Sequence, residues 1–171
     1  LGGVEDSDGR VRLKRLTQAQ SIAQMVQDLQ TSNPAAGIVV TGDFNAFEFS
    51  DGYVDAIGQI RGDVVPADNL LSGPDLVEPD LMNQVLSLPP EDRYSFVFGG
   101  SAQVLDHALT NSVLDLRVRG LQFARGNADA AVDLINDDST ALRASDHDGL
   151  VLYIERSTRR HQQHNDDDDC D

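Results

Sequence analysis

The stretch from Ile38 to Asn45, Ile-Val-Val-Thr-Gly-Asp-Phe-Asn, is the part of the chain that most limits the fold. Its apolar start is typical of a buried strand, and the acid and the amide follow where that strand ends. Because side chains alternate along an extended chain, we expect Asp43 and Asn45 to point the same way and Phe44 to point oppositely. Gly-Asp-x-Asn is also a reasonable turn sequence, so other motifs must decide whether it forms a site.

An amphipathic helix is predicted before this strand, from Thr17 to the Asn33-Pro34 step. Apolar residues recur there at the spacing of one helical face, namely Ile22, Met25, Val26 and Leu29. A helix joined by a short loop to an apolar strand predicts an α/β layered architecture in which the helix covers a sheet.

The rest of the chain alternates loops with runs that are typical of strands. Runs over residues 94–98 and 103–110 are joined by Gly99-Gly100-Ser101, which predicts a hairpin. The aromatic residues of the first run are predicted to lie in the sheet core rather than to form a platform for stacking bases; they are Tyr94, Phe96 and Phe98. The other predictions are loop with short helices over 46–93, a strand over 114–123, a long surface loop over 126–144 and a last strand over 150–154.

Composition predicts one globular domain and limits the possible partners. The 171 residues include 40% hydrophobic residues, and 13 basic against 29 acidic residues give a net charge of -16. A continuous basic surface is therefore excluded, so any contact with nucleic acid must be local. The acidic balance fits a solubilising surface and a salt-rich or extracellular setting.

The sequence was also searched for a membrane span, for disulfide-forming cysteines and for charged tails. No run of about 20 apolar residues predicts a membrane span. Cys170 is the only cysteine, so no disulfide forms within the chain. It lies in an acidic run over 165–171, which is typical of a solvated tail or linker, with a calcium-binding linker as the alternative.

Polar pairs lie in or at the ends of predicted strands, where an unpaired charge is costly. These pairs are Asp43 with Asn45, Asp106 with His107, and Asp146 with His147. A hard divalent ion prefers carboxylate oxygen, which favours Asp146 as a ligand. A carboxylate that holds an imidazole fixes its tautomer, which favours a pair between Asp106 and His147. His107 points opposite to Asp106 along the strand, so we expect it to be structural.

In this order, these motifs resemble the later motifs of the endonuclease/exonuclease/phosphatase superfamily. The motifs are Gly42 to Asn45, Leu105 to His107 and Ser145 to His147. Fuller strings are most similar to its bacterial extracellular nucleases. They cover residues 94–98, 104–109, 126–129 and 145–148, and the resemblance as a whole covers 17–154.

The resemblance implies a layered α/β sandwich, of which this chain is the second half only, with a mainly antiparallel or mixed sheet and covering helices. It implies a truncated N-terminal loop over 1–16, the C-terminal part of the domain over 17–155, and an acidic tail or linker over 156–171. The Asn, the Glu ligand and the His of the first half are absent, so we expect the isolated chain to be incomplete as a catalyst. The missing half then becomes an expected partner.

The resemblance also implies roles for the matching residues. Asp43 acts as general base or orients water, with a second role as a possible metal ligand, and Asn45 holds the phosphate or a metal-bound water. Asp146 is a metal ligand, His147 contacts the scissile phosphate, and Asp106 orients His147. The expected cofactor is Mg²⁺, with Mn²⁺ or Ca²⁺ as alternatives.

The implied function is that of a secreted metal-dependent phosphodiesterase, a nuclease acting on DNA or RNA. An extracellular or cell-surface location follows from the same resemblance. Two alternatives remain: a phosphoesterase for lipid or inositol phosphates, and a non-catalytic acidic binding module.

Overall fold

A computed structural model of the chain describes residues 9–156. Those residues form a mixed α/β fold of small antiparallel sheets and a few helices. The acidic run with Cys170 lies outside the described residues, as do residues 1–8 of the predicted N-terminal loop. None of the described helices has a stretch that is long and apolar enough to cross a membrane.

The first helix, α1, spans Arg10–Ser32 and begins earlier than predicted. The prediction of a loop over 1–16 is therefore wrong for residues 10–16. Arginine, lysine and leucine are good helix formers, and burial of Leu16 extends the packed face by a turn. Gly9 precedes the helix in a left-handed conformation with φ of 69°.

The buried face of α1 combines part of the predicted face with alanines that the prediction left out. Of the predicted residues, Val26 is buried and Ile22 packs against the core, whereas Met25 and Leu29 are 58% and 52% exposed. Ala19 and Ala23 are buried beside Val26. Alanine lets a helix approach its neighbours closely. A search for periodic large apolar residues overlooks it, because alanine is only weakly hydrophobic. The face is thus rotated from the one that the sequence predicted.

The predicted central strand forms, and α1 covers it. Strand β1 (Val39–Asp43) pairs antiparallel with β5 (Asp106–Thr110), which also pairs with β2 (Met82–Asn83) in the order β1-β5-β2. Val40 packs with Leu109 in the core beneath α1 and α2 (Ala56–Arg61). The opposite face of β1 is exposed, with Val39 41% accessible, so β1 is not the fully buried strand that was predicted.

The predicted hairpin forms over a shorter stretch. Strand β3 (Phe96–Phe98) pairs with β4 (Ser101–Gln103), and Gly99 and Gly100 between them have φ of 56° and 83°. Two consecutive residues with positive φ match the twist of the flanking strands.

The predicted run over 103–110 is split, because its later part leaves the hairpin for the sheet with β1. Val104 and Leu105 are both buried, which an alternating strand with one exposed face does not allow. Ser95 Oγ accepts hydrogen bonds from the backbone N–H groups of Leu105 and Asp106 and so stabilises the change of direction.

The last part of the described chain forms a two-stranded sheet. Strands β6 (Val118–Ala124) and β7 (Gly149–Ile154) pair antiparallel and contribute Leu121 and Phe123 to a second core cluster. The predicted strand over 114–123 begins late, because Asn111 caps the short helix α3 (Ser112–Asp115). Residues 126–144 form the predicted long loop, which contains one 3-10 turn at Val132–Asn136.

Candidate active site

The Asp43 and Asn45 side chains lie together at the end of β1, but through a turn rather than through strand alternation. Asn45 has φ of 48°, a conformation that asparagine tolerates better than most residues. Its backbone N–H donates to Asp43 Oδ1 at 2.8 Å, and its side-chain Nδ2 donates to Asp43 Oδ2 at 3.0 Å. The turn and the site are therefore two properties of the same four residues.

Arg15 of α1 holds this turn from outside the motif. Its Nη1 donates to the backbone carbonyl of Asn45 at 2.9 Å. The residue lies in the part of α1 that the sequence assigned to a loop, so sequence reasoning did not connect it with the site. The only available signal was a basic residue on a helix that leads into the strand.

Asp106 and His147 form the pair that the sequence predicts. In the β1–β5 ladder Asp43 lies directly opposite Asp106, which places the two carboxylates at the same end of the sheet. His147 Nδ1 lies 2.6 Å from Asp106 Oδ2. Since an ionised carboxylate only accepts, Nδ1 carries the shared proton and Nε2 is directed away from the pair.

The surrounding charges favour the imidazolium form of His147. Partial burial opposes that charge, but the hydrogen bond to Asp106 and the negative charges of Asp106, Asp43 and Asp146 outweigh it. The pKa of His147 is therefore raised above its ordinary value of 6.5. At neutral pH the fraction of molecules in which both nitrogens of His147 carry a proton is therefore larger, and in this form Nε2 can donate to an anionic oxygen.

One cleft of about 900 Å³ joins all the predicted site residues. Its walls contain the Asp43–Asn45 pair, the Asp106–His147 pair and residues of the β3–β4 hairpin. The lining consists of Asp43, Asn45, Phe96, Phe98, Gln103, Leu105, Asp106, Ser145, Asp146 and His147.

The predicted metal ligands occupy different parts of this cleft. Among the described residues, Asp43, Asp106 and His147 each offer a ligand atom, and these atoms lie within 4.8 Å of one another. Asp146 is exposed at the cleft and is not part of that cluster. The structure thus brings Asp43, Asn45, Asp106 and His147 together and places Asp146 beside them.

The donor atoms fit a hard divalent cation. Each oxygen of Asp43 accepts one hydrogen bond from Asn45 and keeps a second lone pair for a cation. The negative surroundings of His147 favour its protonated form, which has no nitrogen lone pair to give to a cation, so imidazole is the less suitable ligand in the cluster. Carboxylate oxygen is the ligand type that Mg²⁺ prefers, and Asp43 and Asp106 offer it within the cluster while Asp146 offers it beside the cluster.

His107 lies outside the cleft, as expected for a structural residue. It is fully buried, with Nε2 2.8 Å from the carbonyl oxygen of Ala46 and Nδ1 3.1 Å from Asn83 Nδ2. The carbonyl can only accept, so Nε2 carries the proton and Nδ1 accepts from the amide. Burial lowers the pKa of His107 despite the hydrogen bond to Ala46 and the nearby carboxylates, which keeps the ring neutral.

Asp148 supports His147 from behind, and sequence reasoning assigned it no role. Its side chain is buried and accepts from Arg125 Nη1 at 2.9 Å and from the backbone N–H groups of Asn127 and Ala128 at 3.0 Å. Asn127 Nδ2 in turn donates to the carbonyl of His147 at 3.0 Å. An acid directly after the His was the signal, because a buried carboxylate needs a cation or several N–H donors.

The interpretation of the hairpin aromatics as sheet core is wrong. Phe98 is 68% exposed, and both Phe96 and Phe98 line the cleft. The Phe96 ring stacks against His147 with centroids 4.7 Å apart. The β3–β4 hairpin is a sheet of only two short strands, and no further strand among the described residues covers the face that carries these rings.

Comparison of the chain with family models, curated proteins and solved structures gave no match. The functional interpretation therefore depends on the cleft geometry and on the ordered motifs that form it.

Proposed function

We propose that this chain forms one wall of a metal-dependent phosphodiesterase site of the endonuclease/exonuclease/phosphatase type, acting on DNA or RNA. The observation that carries the proposal is the meeting of the Asp43–Asn45 turn and the Asp106–His147 pair in one cleft. The residues of both pairs come from the three motifs that resemble this superfamily.

The residues of the cleft supply the chemistry of an in-line attack by water on phosphorus. Asp43 accepts a proton from the attacking water, and Asn45 fixes the Asp43 carboxylate through two hydrogen bonds. The protonated His147 donates to a non-bridging phosphate oxygen, whose negative charge grows as the bond to water forms. Asp106 holds the imidazole in the required tautomer, and the leaving alkoxide takes its proton from solvent.

The proposed cofactor is Mg²⁺, with Mn²⁺ or Ca²⁺ as alternatives, held by Asp146 and Asp43. When bound, such an ion neutralises phosphate charge and lowers the pKa of water. A location outside the cell or at its surface is part of the proposal and is supported by the acidic composition.

The opposite wall is proposed to come from an N-terminal half-domain, which completes the layered sandwich. Two observations support this part of the proposal. β1 lies at the edge of its sheet, and its Val39 and Thr41 side chains are exposed on the face away from α1. A second sheet packed on that face would bury them and close the cleft.

A phosphoesterase for lipid or inositol phosphates is the second candidate. The net charge of -16 favours it, because a long polyanion is repelled more strongly than a small headgroup. A non-catalytic acidic binding module is the third, and it would leave the polar cleft without turnover.

Nicking of plasmid DNA with Mg²⁺ tests the proposal, with the chain joined to its N-terminal half. We expect Asp43→Ala and His147→Ala to lower the rate about 100-fold or more, as the loss of a general base or of a charge-stabilising donor does. Asp138→Ala removes an exposed loop carboxylate and is the matched control. Equal nicking by all variants would contradict the site assignment.

The isolated chain tests the need for a second wall. We expect the 171 residues alone to show little or no turnover with Mg²⁺. Robust metal-dependent hydrolysis by these residues would disprove the requirement for the other half.

A further inference from the structure

We propose that Phe98 is a stacking subsite for an unpaired nucleobase beside the phosphate position. This inference rests on the proposed function and adds to it a preference for nucleic acid with accessible bases. It concerns a residue to which neither the motifs nor the mechanism gives a role.

The rings of His147, Phe96 and Phe98 form a continuous row along the cleft. Phe96 lies 4.7 Å from His147 with an interplanar angle of 28°, and Phe98 lies 6.3 Å from Phe96 with an angle of 15°. The row begins at the side chain that contacts the phosphate in the proposed mechanism. A base attached to that nucleotide is therefore within reach of the outer ring.

Phe98 is held in place although its ring is exposed. Its backbone pairs with Ser101 across a turn whose two glycines fix the hairpin. At the other end of the strand, Phe96 forms a bridge with His147, and the fully buried Ser95 accepts from Asp148 N–H at 2.8 Å. A ring on a fixed backbone loses little freedom on binding, which favours its use as a recognition surface.

The chemistry of the ring selects the ligand. Every nucleobase has a π-face that can stack on phenylalanine, whichever base it is, whereas a saturated inositol ring or a glycerol headgroup has none. Bases in a duplex are already stacked, so the subsite takes single strands, ends or frayed positions. Stacking also requires no basic surface, which suits a chain with a net charge of -16.

Fluorescence anisotropy with the full chain tests the subsite without requiring turnover. The probes are a labelled oligothymidylate, an abasic strand of the same length and a duplex of that length. We expect the wild type to bind the base-bearing strand about tenfold more tightly than the abasic strand, the size of one base–aromatic stack. The duplex should bind no better than the abasic strand.

Matched substitutions separate stacking from general loss of structure. Phe98→Ala should abolish the preference and leave abasic affinity unchanged, while Phe98→Trp should retain the preference. Phe49→Ala is the control, because Phe49 is 58% exposed and stacks on Phe47 at 5.1 Å outside the cleft lining. An unchanged preference in Phe98→Ala, equal binding of the duplex, or no measurable binding of the base-bearing strand would overturn the inference.

The two proposals fail in different ways. A preference for bases without any metal-dependent hydrolysis by the completed domain would leave the stacking subsite and remove the phosphodiesterase. Hydrolysis without a base preference would leave the phosphodiesterase and remove the subsite.

Discussion

The imidazole of His147 depends on a single carboxylate for its orientation. Asp106 lies opposite Asp43 in the ladder and 2.6 Å from His147 Nδ1, so one side chain sets the tautomer and has the largest favourable effect on the charged form of the ring. Asp106→Asn preserves shape but removes the negative charge. We expect the pKa of His147 to fall and hydrolysis by the completed domain to drop 10–100-fold.

An NMR titration of the His147 ring, alongside the nicking rate, checks this prediction. Asp138→Asn is the control, because it removes an equally negative but exposed loop charge. A His147 titration that is unchanged in Asp106→Asn would mean that the pair does not control the imidazole.

His107 gives the stability of the fold a dependence on pH. Burial lowers its pKa below the ordinary value of 6.5, so the folded state prefers the neutral ring. The unfolded chain takes up a proton as the pH falls through 6.5, and the folded chain does so only at lower pH. Stability from this group is complete above pH 6.5 and is lost as the pH falls from there toward the folded pKa.

Thermal unfolding between about pH 7 and pH 5.5 measures this contribution, because ordinary carboxylates titrate mostly below that range. The raised pKa of His147 gives a contribution of opposite sign in the same window, so the His107 contribution is measured as the difference in slope between the wild type and His107→Gln. We expect the melting temperature of the wild type to fall more, or rise less, than that of His107→Gln as the pH is lowered. His107→Gln should be less stable at pH 7 and should lose that part of the slope. Identical slopes in the two proteins would exclude His107 as the source.

At the scale of elements, the loop that carries His147 is held by a buried acid. Asp148 accepts from a guanidinium and two backbone N–H groups, and Asp148→Ala would leave all three without that acceptor. We expect a loss of about 3 kcal/mol in the free energy of unfolding. This is the lower end of the cost of breaking a buried ion pair, because Arg125 is partly exposed.

Urea denaturation measures that loss. Asp129→Ala is the matched control, since Asp129 is an exposed neighbour with one hydrogen bond to Tyr94. We expect it to cost less than 1 kcal/mol. Comparable losses from both variants would mean that Asp148 is not the main support of the loop.

The elements also show where sequence patterns are sufficient. β1 and the polar residues at its end were predictable, because an apolar run followed by Gly-Asp-x-Asn has few alternatives. The start of α1 and its buried face were not, since Ala19 and Ala23 pack by being small rather than by being strongly hydrophobic. The break before Asp106 depends on Ser95 Oγ, a contact that no local pattern encodes.

At the scale of the whole molecule, the acidic charge should oppose compactness. With 29 acidic against 13 basic residues, the chain repels itself, and salt screens that repulsion. We expect the melting temperature at neutral pH to rise from low salt to about 0.5 M sodium chloride, where the screening length is well below 10 Å. A melting temperature that falls over that range would show that attractive ion pairs dominate.

The candidate site was more predictable than the surfaces around it. Asp43, Asp106 and His147 were predicted as site residues because three ordered motifs contain them, and the structure places all three in one cleft. Phe98 was assigned to the core because an aromatic side chain in a short strand is normally covered, and only the sheet topology shows that no further strand among the described residues covers it.

The hydrogen bond from Arg15 to Asn45 couples the site to the dynamics of a helix end. The first turns of a helix open more readily than its middle, and each opening of α1 as far as Arg15 releases the carbonyl of Asn45. The lifetime of the Asp43–Asn45 turn is then set partly by how often residues 10–15 unwind. Hydrogen exchange at the Asn45 amide, which donates to Asp43, would report that opening from inside the cleft.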